Sequence, residues 1–437
     1  MAAPPPPHRT ALQRLLNLAP GERAGLLRGM LYGFLVLAGH AVLKPVRDEI
    51  GSELRDWLPV LWTWTFIGTC ALAPLYGLAA ARWPKERLVP RVLLVCIGCL
   101  AVFWVLLRGL PAGPNRTATE AVFYVWASVF NLYTVSLFWA QMTALYRSEQ
   151  GRRLFGLLTL GSSMGAIAGP LLVRLLAGPL GNAQMLPIAA GLLGGAAVCA
   201  RATALRALPA TDATASSPGD LRGVATGLRT LFRSRYLLAV AGYLLLSLVG
   251  AGFLYFLKAE IAGEAFSDRA RRLEFFALVE AAGNTLTVLL QVFVTGRVMG
   301  RFGTLPALLV LPVLTVGLFA ALGTWTTLPV LVACDLGRRA GNYAFSKPAR
   351  EVLYTVVDER ARYRAKPLLD TVVYRGGDVG IAWLYEALAS AGMAAGALAW
   401  AVVPCALAWA ALAIPLGRGH RRREASTGSS EPRIDPE

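Results

Sequence analysis

Two long apolar segments of this chain contain charged residues at positions where a membrane-spanning helix normally carries apolar ones. The segments are Leu328–Ser346 and Leu368–Leu388. The charged residues near their middles are Asp335, Arg338, Arg339, Arg375 and Asp378. A charge at the centre of a bilayer costs about 2.5–3.5 kcal/mol on insertion scales, so such residues usually face a bundle interior or a watery cavity on a transport pathway. The two segments therefore predict a transporter.

The composition is that of a membrane protein. Of the 437 residues, 56% are hydrophobic and 16% are charged, whereas a soluble globular chain carries about 25% charged residues. A spanning helix needs about 17–25 predominantly apolar residues. On that basis we place twelve spans, at Gly25–Leu43, Trp57–Ala80, Val92–Leu107, Ala121–Tyr146, Leu154–Leu176, Met185–Leu205, Tyr236–Leu257, Phe275–Val294, Leu305–Leu322, Leu328–Ser346, Leu368–Leu388 and Gly392–Leu416.

The longest break between spans divides them into two groups of six. It begins with PATDATASSPGD, which has the composition of a linker. Two six-helix halves joined in this way are typical of major-facilitator-like transporters. We therefore predict an all-α membrane protein with twelve transmembrane helices. Its predicted parts are a cytoplasmic N-terminal segment (1–24), an N-terminal half (25–208), a cytoplasmic linker (209–235), a C-terminal half (236–416) and a cytoplasmic disordered tail (417–437).

The basic residues predict the orientation of the spans. The formal net charge is +17, and the lysines and arginines concentrate in alternate links between spans. This positive-inside pattern places both termini in the cytoplasm and predicts a multi-pass protein of the cell inner membrane. Nucleic acid is therefore not expected as a partner, and a basic cavity for an anionic solute explains the charge better.

Residue types that would support metal or enzymatic chemistry are scattered. The six cysteines lie inside apolar spans and the three histidines form no cluster, so we expect no metal site. The chain contains neither a glycine-rich phosphate loop of an ATPase nor a nucleophile triad. We therefore expect no cofactor, no enzymatic activity and no ATP hydrolysis as an energy source.

Two cations and an aspartate lie near the outer end of the first span. Lys44 and Arg47 are three positions apart, so they share one face of a helix, and Asp48 follows them. One interpretation is that the cations reach to the membrane interface. The other is that they guard the mouth of a cavity, and on that interpretation Lys44 and Arg47 bind substrate while Asp48 acts in coupling or gating.

The charges of the tenth span also allow two interpretations. Asp335 can pair with Arg338 or Arg339, at i+3 or i+4, which would lower the cost of burial without any ligand. Two arginines and one aspartate still leave an excess positive charge, and arginine forms bidentate contacts with phosphate. We assign Arg338 and Arg339 to substrate binding and Asp335 to coupling or gating.

Three further intramembrane charges belong to the candidate set. Arg375 and Asp378 are three positions apart, and we expect the Gly376–Gly377 pair to loosen the helix there. Glu280 stands alone in the eighth span, where it can carry a proton or pair with a cation. Arg375 is assigned to substrate binding, and Asp378 and Glu280 to coupling or gating. Lys258, at the end of the seventh span, is interpreted as interfacial.

Glycines repeat at every fourth position of the fifth span. They are Gly161, Gly165 and Gly169. Small residues at this spacing let two helices approach closely. A role in gating is the alternative, and the sequence leaves both interpretations open.

The segment Tyr343–Asp370 resembles a motif of the nucleotide transporter family, the ATP/ADP translocases of plastids and of obligate intracellular bacteria. The matching residues are Tyr343, Phe345, Pro348, Arg350, Glu351, Tyr354, Asp358, Glu359, Arg362, Arg364, Lys366 and Asp370. Leu43–Asp48 and Phe138–Gly156 are similar to two further family segments. The resemblance implies a major-facilitator-like fold and exchange of ATP against ADP. It also adds Arg350 to the substrate-binding residues and Asp370 to those of coupling or gating.

Some positions depart from the family pattern. Arg47 and Arg350 stand where the family often has lysine, and Arg375–Asp378 reads RGGD where the family more often has Gly-Lys-Ser after its arginine. Arginine keeps the positive charge but changes the hydrogen-bond geometry. The pattern resembles that of a divergent bacterial branch of the family.

The predicted function is exchange of anionic solutes, with nucleotides as substrates, by a monomer in the lipid bilayer. One alternative is a proton-coupled major-facilitator exporter of drugs or metabolites. The charged loop motif usual for such exporters after the second span is degenerate here, because Gly77–Arg82 lacks its acid. A scaffold or sensor without transport activity is another alternative, and it leaves the arginines of the apolar segments unexplained.

Overall fold

The structure is a computed structural model, and it describes residues 22–83, 85–146, 148–204, 221–358, 361, 365–366 and 368–428. These residues form helices joined by turns and short connections, and no β-strand occurs among them. The prediction of an all-α protein is confirmed. The predicted N-terminal segment up to residue 21, residues 209–220 of the predicted linker and residues 429–437 of the predicted tail lie outside the described residues.

The α-helices follow one another along the chain. They are α1 (Glu22–Glu53), α2 (Leu58–Arg82), α3 (Lys85–Gly109), α4 (Pro114–Leu145), α5 (Ser148–Leu180), α6 (Met185–Ala204), α7 (Leu221–Arg233), α8 (Arg235–Ala265), α9 (Arg269–Leu290), α10 (Gly296–Phe302), α11 (Thr304–Thr324), α12 (Leu328–Gly341), α13 (Lys347–Leu353), α14 (Tyr374–Ser390) and α15 (Ala395–Gly428). Short 3₁₀ turns lie at Arg55–Trp57 and Asn182–Gln184, and π-helical turns at Gln291–Thr295, Asn342–Ser346 and Leu369–Val373.

Ten helical segments of the described chain are long and apolar enough to cross a membrane. They correspond to ten of the predicted spans. The other two predicted spans are the charged segments, in which π-helical turns divide the helix into shorter pieces. One such turn joins α12 to α13, and another leads into α14. Because π-helical turns inside helices are frequent at functional sites, these interruptions mark the same segments as the charges do.

The chain forms two compact units. The first contains the described residues of 1–47 and 75–216, and the second contains those of 48–74 and 217–437. The first unit therefore holds most of α1, the later part of α2, and α3 to α6. The second holds the end of α1, the earlier part of α2, and α7 to α15. All but two of the residues assigned to the site lie in the second unit.

Close packing explains the glycine repeat of α5 in the first unit. A Cβ atom built on Gly165 would lie 2.1 Å from the carbonyl oxygen of Phe34, and one on Gly161 would lie 2.6 Å from that of Met30. Real Cβ atoms do not come so near a carbonyl oxygen. The glycines therefore let α5 lie directly against the backbone of α1, which supports the packing interpretation.

We expect Gly165→Ala to destabilise the protein. The added methyl group would overlap the backbone of Phe34, and overpacking of this kind costs about 1–3 kcal/mol. The measurement is the Tm of the purified protein in detergent. Gly156→Ala on the same helix is the control, because a Cβ there meets nothing within 4 Å. An unchanged Tm for Gly165→Ala would contradict the close approach of α5 to α1.

The second unit is built on three helices, because α15 packs against both α8 and α11. Tyr243 on α8 places its ring against Trp409 of α15, and its hydroxyl donates to the carbonyl of Leu308 at 2.9 Å. The charged segments attach to this framework, since α12 packs against α9 and α11, and α14 packs against α8. The buried framework therefore fixes the positions of the charged side chains.

Two segments predicted to be irregular are helical. The last helix, α15, continues to Gly428, so residues 417–428 do not form a disordered tail. They are held because His420 is buried and Arg423 lies 4.5 Å over the ring of Tyr236. Within the predicted linker, residues 221–233 form α7, whose Leu231 is buried in the core while Phe232 is exposed.

Candidate functional site

Four charged side chains form one connected network inside the second unit. Arg339 donates from Nη1 to Glu280 Oε2 at 2.5 Å and from Nη2 to Asp335 Oδ2 at 3.3 Å. Lys258 donates from Nζ to Asp335 Oδ1 at 3.2 Å. Lys258, Asp335 and Glu280 are all buried. Two cations and two carboxylates thus neutralise one another inside the protein.

This network decides between alternatives that the sequence leaves open. Asp335 pairs with Arg339, four positions along the helix, and not with Arg338. Glu280 accepts from Arg339 and also from the Asn284 amide at 3.2 Å, so it is not an isolated carboxylate. Lys258, which the sequence suggests to be interfacial, is buried in the protein and pairs with Asp335, and α8 continues beyond it to Ala265.

Arg338 is held by neutral groups. Its Nε donates to the Thr315 hydroxyl at 3.3 Å, and its Nη2 donates to the carbonyl of Ser247 at 3.1 Å. Arg338 is 6% exposed, and no carboxylate of the described residues forms an ion pair with it. Gly250 leaves the space, since a Cβ there would lie 3.1 Å from the guanidinium carbon. The described residues therefore hydrogen-bond the charge of Arg338 without neutralising it.

Arg375 and Asp378 form a looser pair on α14. Arg375 Nη1 lies 3.6 Å from Asp378 Oδ2, and the two side chains are 28% and 20% exposed. The expected loosening at Gly376 and Gly377 is not found, because α14 is regular there. The π-helical turn lies just before α14 instead. A Cβ on Gly377 would lie 2.7 Å from Leu248, so this glycine serves a close helix contact.

Arg350 and Asp370 lie near each other but form no ion pair. Arg350, on α13, makes no salt bridge or side-chain hydrogen bond with any described residue, and its Nε is buried. Asp370 lies within electrostatic range of Arg350 and Lys366 and is exposed. Glu351 pairs with Lys366 at 2.5 Å. Arg350, Glu351, Lys366 and Asp370, which belong to the match with the nucleotide transporter motif, thus lie in one cluster of charges at the end of α13. Glu359, Arg362 and Arg364 of the same match lie outside the described residues.

The three site residues predicted near the end of the first span divide between the units. Lys44 and Arg47 belong to the first unit, where both are half-buried. The Arg47 guanidinium lies 5.6 Å from the centre of the Tyr124 ring, a cation–π contact. Asp48 belongs to the second unit, where it is buried and accepts a hydrogen bond from the Tyr255 hydroxyl at 3.2 Å.

A further ion-pair cluster in the second unit is missed by the sequence analysis. Glu49 is 1% exposed. It accepts two hydrogen bonds from Arg269, at 2.7 and 3.1 Å, and one from Arg272 at 3.1 Å. Arg272 also pairs with Glu53. The spacing of the acids (i, i+4) and of the arginines (i, i+3) places each pair on one helix face, and this is the signal that could have indicated the pairing.

Comparison with known proteins gives distant relatives. No family model matches the chain. The ADP,ATP carrier protein 1 of Chlamydia muridarum is 23% identical over 320 residues, and that of Chlamydia trachomatis is 23% identical over 321 residues. Each match covers 62% of this chain and 59% of the relative. The chain therefore spans about three fifths of the length of these relatives.

Solved structures of transporters share the fold. The nucleoside transporter NupG has a TM-score of 0.62 at 14% identity, covering 91% of this chain and 98% of that one. A bacterial homologue of ferroportin in an inward-facing state gives 0.63 at 15%, covering 90% and 99%. A peptide transporter of the POT family gives 0.63 at 14%, covering 92% and 97%. The predicted major-facilitator-like fold is confirmed.

Proposed function

We propose that this chain is a secondary transporter that exchanges nucleotides, ADP against ATP, by alternating access in the cell inner membrane, with both termini cytoplasmic. The observation that carries the proposal is the state of Arg338. Its buried guanidinium is held by two neutral oxygens and by no described carboxylate. An intramembrane charge of this kind is costly and marks a substrate pathway. An anionic substrate would supply the missing negative charge.

Phosphate is the anionic group that fits this site best. The guanidinium fork donates paired hydrogen bonds that match the oxygens of a phosphate. Arg375 is a second cation that can turn toward a ligand, because its contact with Asp378 is long, at 3.6 Å, and its side chain is partly exposed. The resemblance to Chlamydia proteins named for ADP and ATP, at 23% identity, supports a nucleotide as the carrier of the phosphate.

The charge balance favours exchange over net uptake. A bound phosphate neutralises Arg338, whereas in the empty protein this buried charge forms an ion pair with no described carboxylate, which costs free energy. Lys258 and Arg339 add little to that cost, because Asp335 and Glu280 neutralise them. The empty carrier is therefore expected to change conformation slowly, so that one nucleotide must enter as another leaves.

Proton-coupled export, the alternative, would require a carboxylate that gains and loses a proton inside the membrane. Glu280 and Asp335 are tied into the buried network. Asp378 has the loosest pairing of the three acids, at 3.6 Å from Arg375. Asp378→Asn is therefore the variant that tests this alternative, and under the exchange proposal it should not abolish exchange.

Transport by purified protein in liposomes tests the proposal. We expect uptake of labelled ATP to be at least about tenfold faster into vesicles filled with ADP than into empty ones, since a penalty of about 1.4 kcal/mol on the empty carrier corresponds to that factor. Vesicles filled with adenosine, which has no phosphate, are the control and should behave like empty ones. Uptake that ignores internal ADP but follows an imposed pH gradient would replace exchange by proton coupling.

A further inference from the structure

Two hydrogen-bonding groups at the end of α13 are buried without a partner. They are the Nε of Arg350 and the hydroxyl of Tyr354. Tyr354 is 2% exposed. The residues are four positions apart, and the backbone N–H of Tyr354 still donates to the carbonyl of Glu351 at 3.2 Å. Both side chains therefore lie on the same side of this helix end.

The neighbouring carboxylates do not neutralise Arg350. Glu351 is held by Lys366 at 2.5 Å. Asp370 lies within electrostatic range of Arg350 and Tyr354 but forms no ion pair with a described residue, and it is exposed to solvent. Together with Lys347, the described members of this group are three cations and two acids. The described residues therefore carry one positive charge in excess.

Buried polar groups in native proteins almost always have a partner, so each exception calls for a water, an ion or a ligand. Arg350 can only donate. Burial raises the pKa of the Tyr354 hydroxyl, and the Asp370 carboxylate acts in the same direction, so Tyr354 also remains a donor. Two donors with an excess positive charge fit an oxyanion. A phosphate suits them because it offers several acceptor oxygens and pairs well with arginine.

We propose that Arg350 and Tyr354 together bind one phosphate group, which makes Tyr354 a substrate-binding residue. That the phosphate belongs to a nucleotide rests on the proposed function. Arg338 and Arg350 are twelve positions apart along the same helical segment, which corresponds to about 18 Å at 1.5 Å per residue. The two arginines would therefore hold a phosphate at successive points of the transport path. A phospholipid headgroup offers the same chemistry, so the test includes one.

Tyr354→Phe separates this role from a structural one, because it removes the unpartnered hydroxyl and keeps the ring. We expect the variant without ligand to have the same Tm as the parent or a higher one. The ADP concentration needed for half-maximal stabilisation should rise about tenfold, the effect of one hydrogen bond to a charged group. Tyr236→Phe is the matched control. Its hydroxyl donates to the carbonyl of Leu353 at 2.9 Å, so its loss should lower the Tm and leave the effect of ADP unchanged.

The same melting curves are recorded with mixed micelles of phosphatidylglycerol in place of ADP. A weaker lipid effect in Tyr354→Phe, with the ADP effect intact, would assign the phosphate to a headgroup and overturn the substrate role. If ADP stabilises Tyr354→Phe as much as the parent, and the lipid does so too, the phosphate site is overturned altogether. A third outcome is that ADP does not stabilise the parent, while the lipid does so in an Arg338 variant but not in Tyr354→Phe. In that case the proposed function fails while the phosphate site stands. If neither probe stabilises the parent, both proposals fail.

Discussion

Replacing Arg338 by methionine should abolish nucleotide exchange and, at the same time, make the empty protein more stable. The charge is buried and hydrogen-bonded only to neutral oxygens, so its removal relieves a desolvation penalty that the nearby Asp335 carboxylate offsets only in part. Loss of a charge-assisted contact with the substrate costs about 1.5–3 kcal/mol, roughly a factor of 10–150 in affinity. The measurements are ADP-dependent ATP uptake into liposomes and the Tm in detergent.

The opposite signs of the two effects make the result informative. A residue kept for folding would lower the Tm when it is replaced, whereas a residue kept for function can raise it. Arg338→Lys keeps the charge without the fork and should lie between the parent and Arg338→Met in exchange. Arg421→Gln, at an exposed position near the end of α15, is the control and should change neither quantity. Normal exchange by Arg338→Met would remove the main support for the proposed function.

Local spacing predicted some of the site because the interactions concerned are local. Asp335 and Arg339 are one helical turn apart, and their pairing follows from that separation alone. Arg375 and Asp378 are another such pair. Both segments that carry these charges were also predictable, because a charge inside a bilayer is costly and therefore unusual. These inferences needed no knowledge of how distant helices pack.

Contacts between distant helices were beyond such reasoning. Arg339 and Glu280 are 59 positions apart, and Lys258 and Asp335 are 77 apart, so each pairing depends on which helix faces which. The glycine pair of α14 illustrates the same limit. A glycine can loosen a helix or permit a close contact between helices. The position of Leu248 shows that Gly377 permits a close contact.

The difference between Arg338 and Arg339 is also set by tertiary structure. Arg338 and Arg339 are adjacent in the sequence and have the same sequence neighbours, yet their side chains project in different directions from α12. Arg339 forms ion pairs with two carboxylates, whereas Arg338 forms an ion pair with no carboxylate of the described residues. One arginine is therefore committed to holding α12 against α9, and the other keeps a charge available for a ligand. Substitutions at the two positions should consequently have different effects.

Breaking the network at Arg339 should destabilise the protein strongly. Arg339→Gln leaves Glu280 without its cation, and Glu280→Gln leaves Asp335 facing two cations. Removal of one partner from a buried ion pair costs about 3–5 kcal/mol. The double variant restores equal numbers of positive and negative charges around the remaining pair of Lys258 and Asp335, so it should lose less than the sum of the single variants. The coupling expected for residues in one network is about 0.5–3 kcal/mol.

The measurement is a double-mutant cycle on the Tm and on the inactivation half-life in detergent. The matched control is the exposed pair of Lys366 and Glu351, whose atoms are also 2.5 Å apart but whose side chains are 37% and 44% exposed. Solvent screening limits such a pair to about 0–1 kcal/mol. The same cycle on that pair should therefore give small and nearly additive effects. If the Arg339 and Glu280 variants were as mild and as additive as this control, the network would not hold α12 to α9, and the distinction drawn between Arg338 and Arg339 would lose its physical basis.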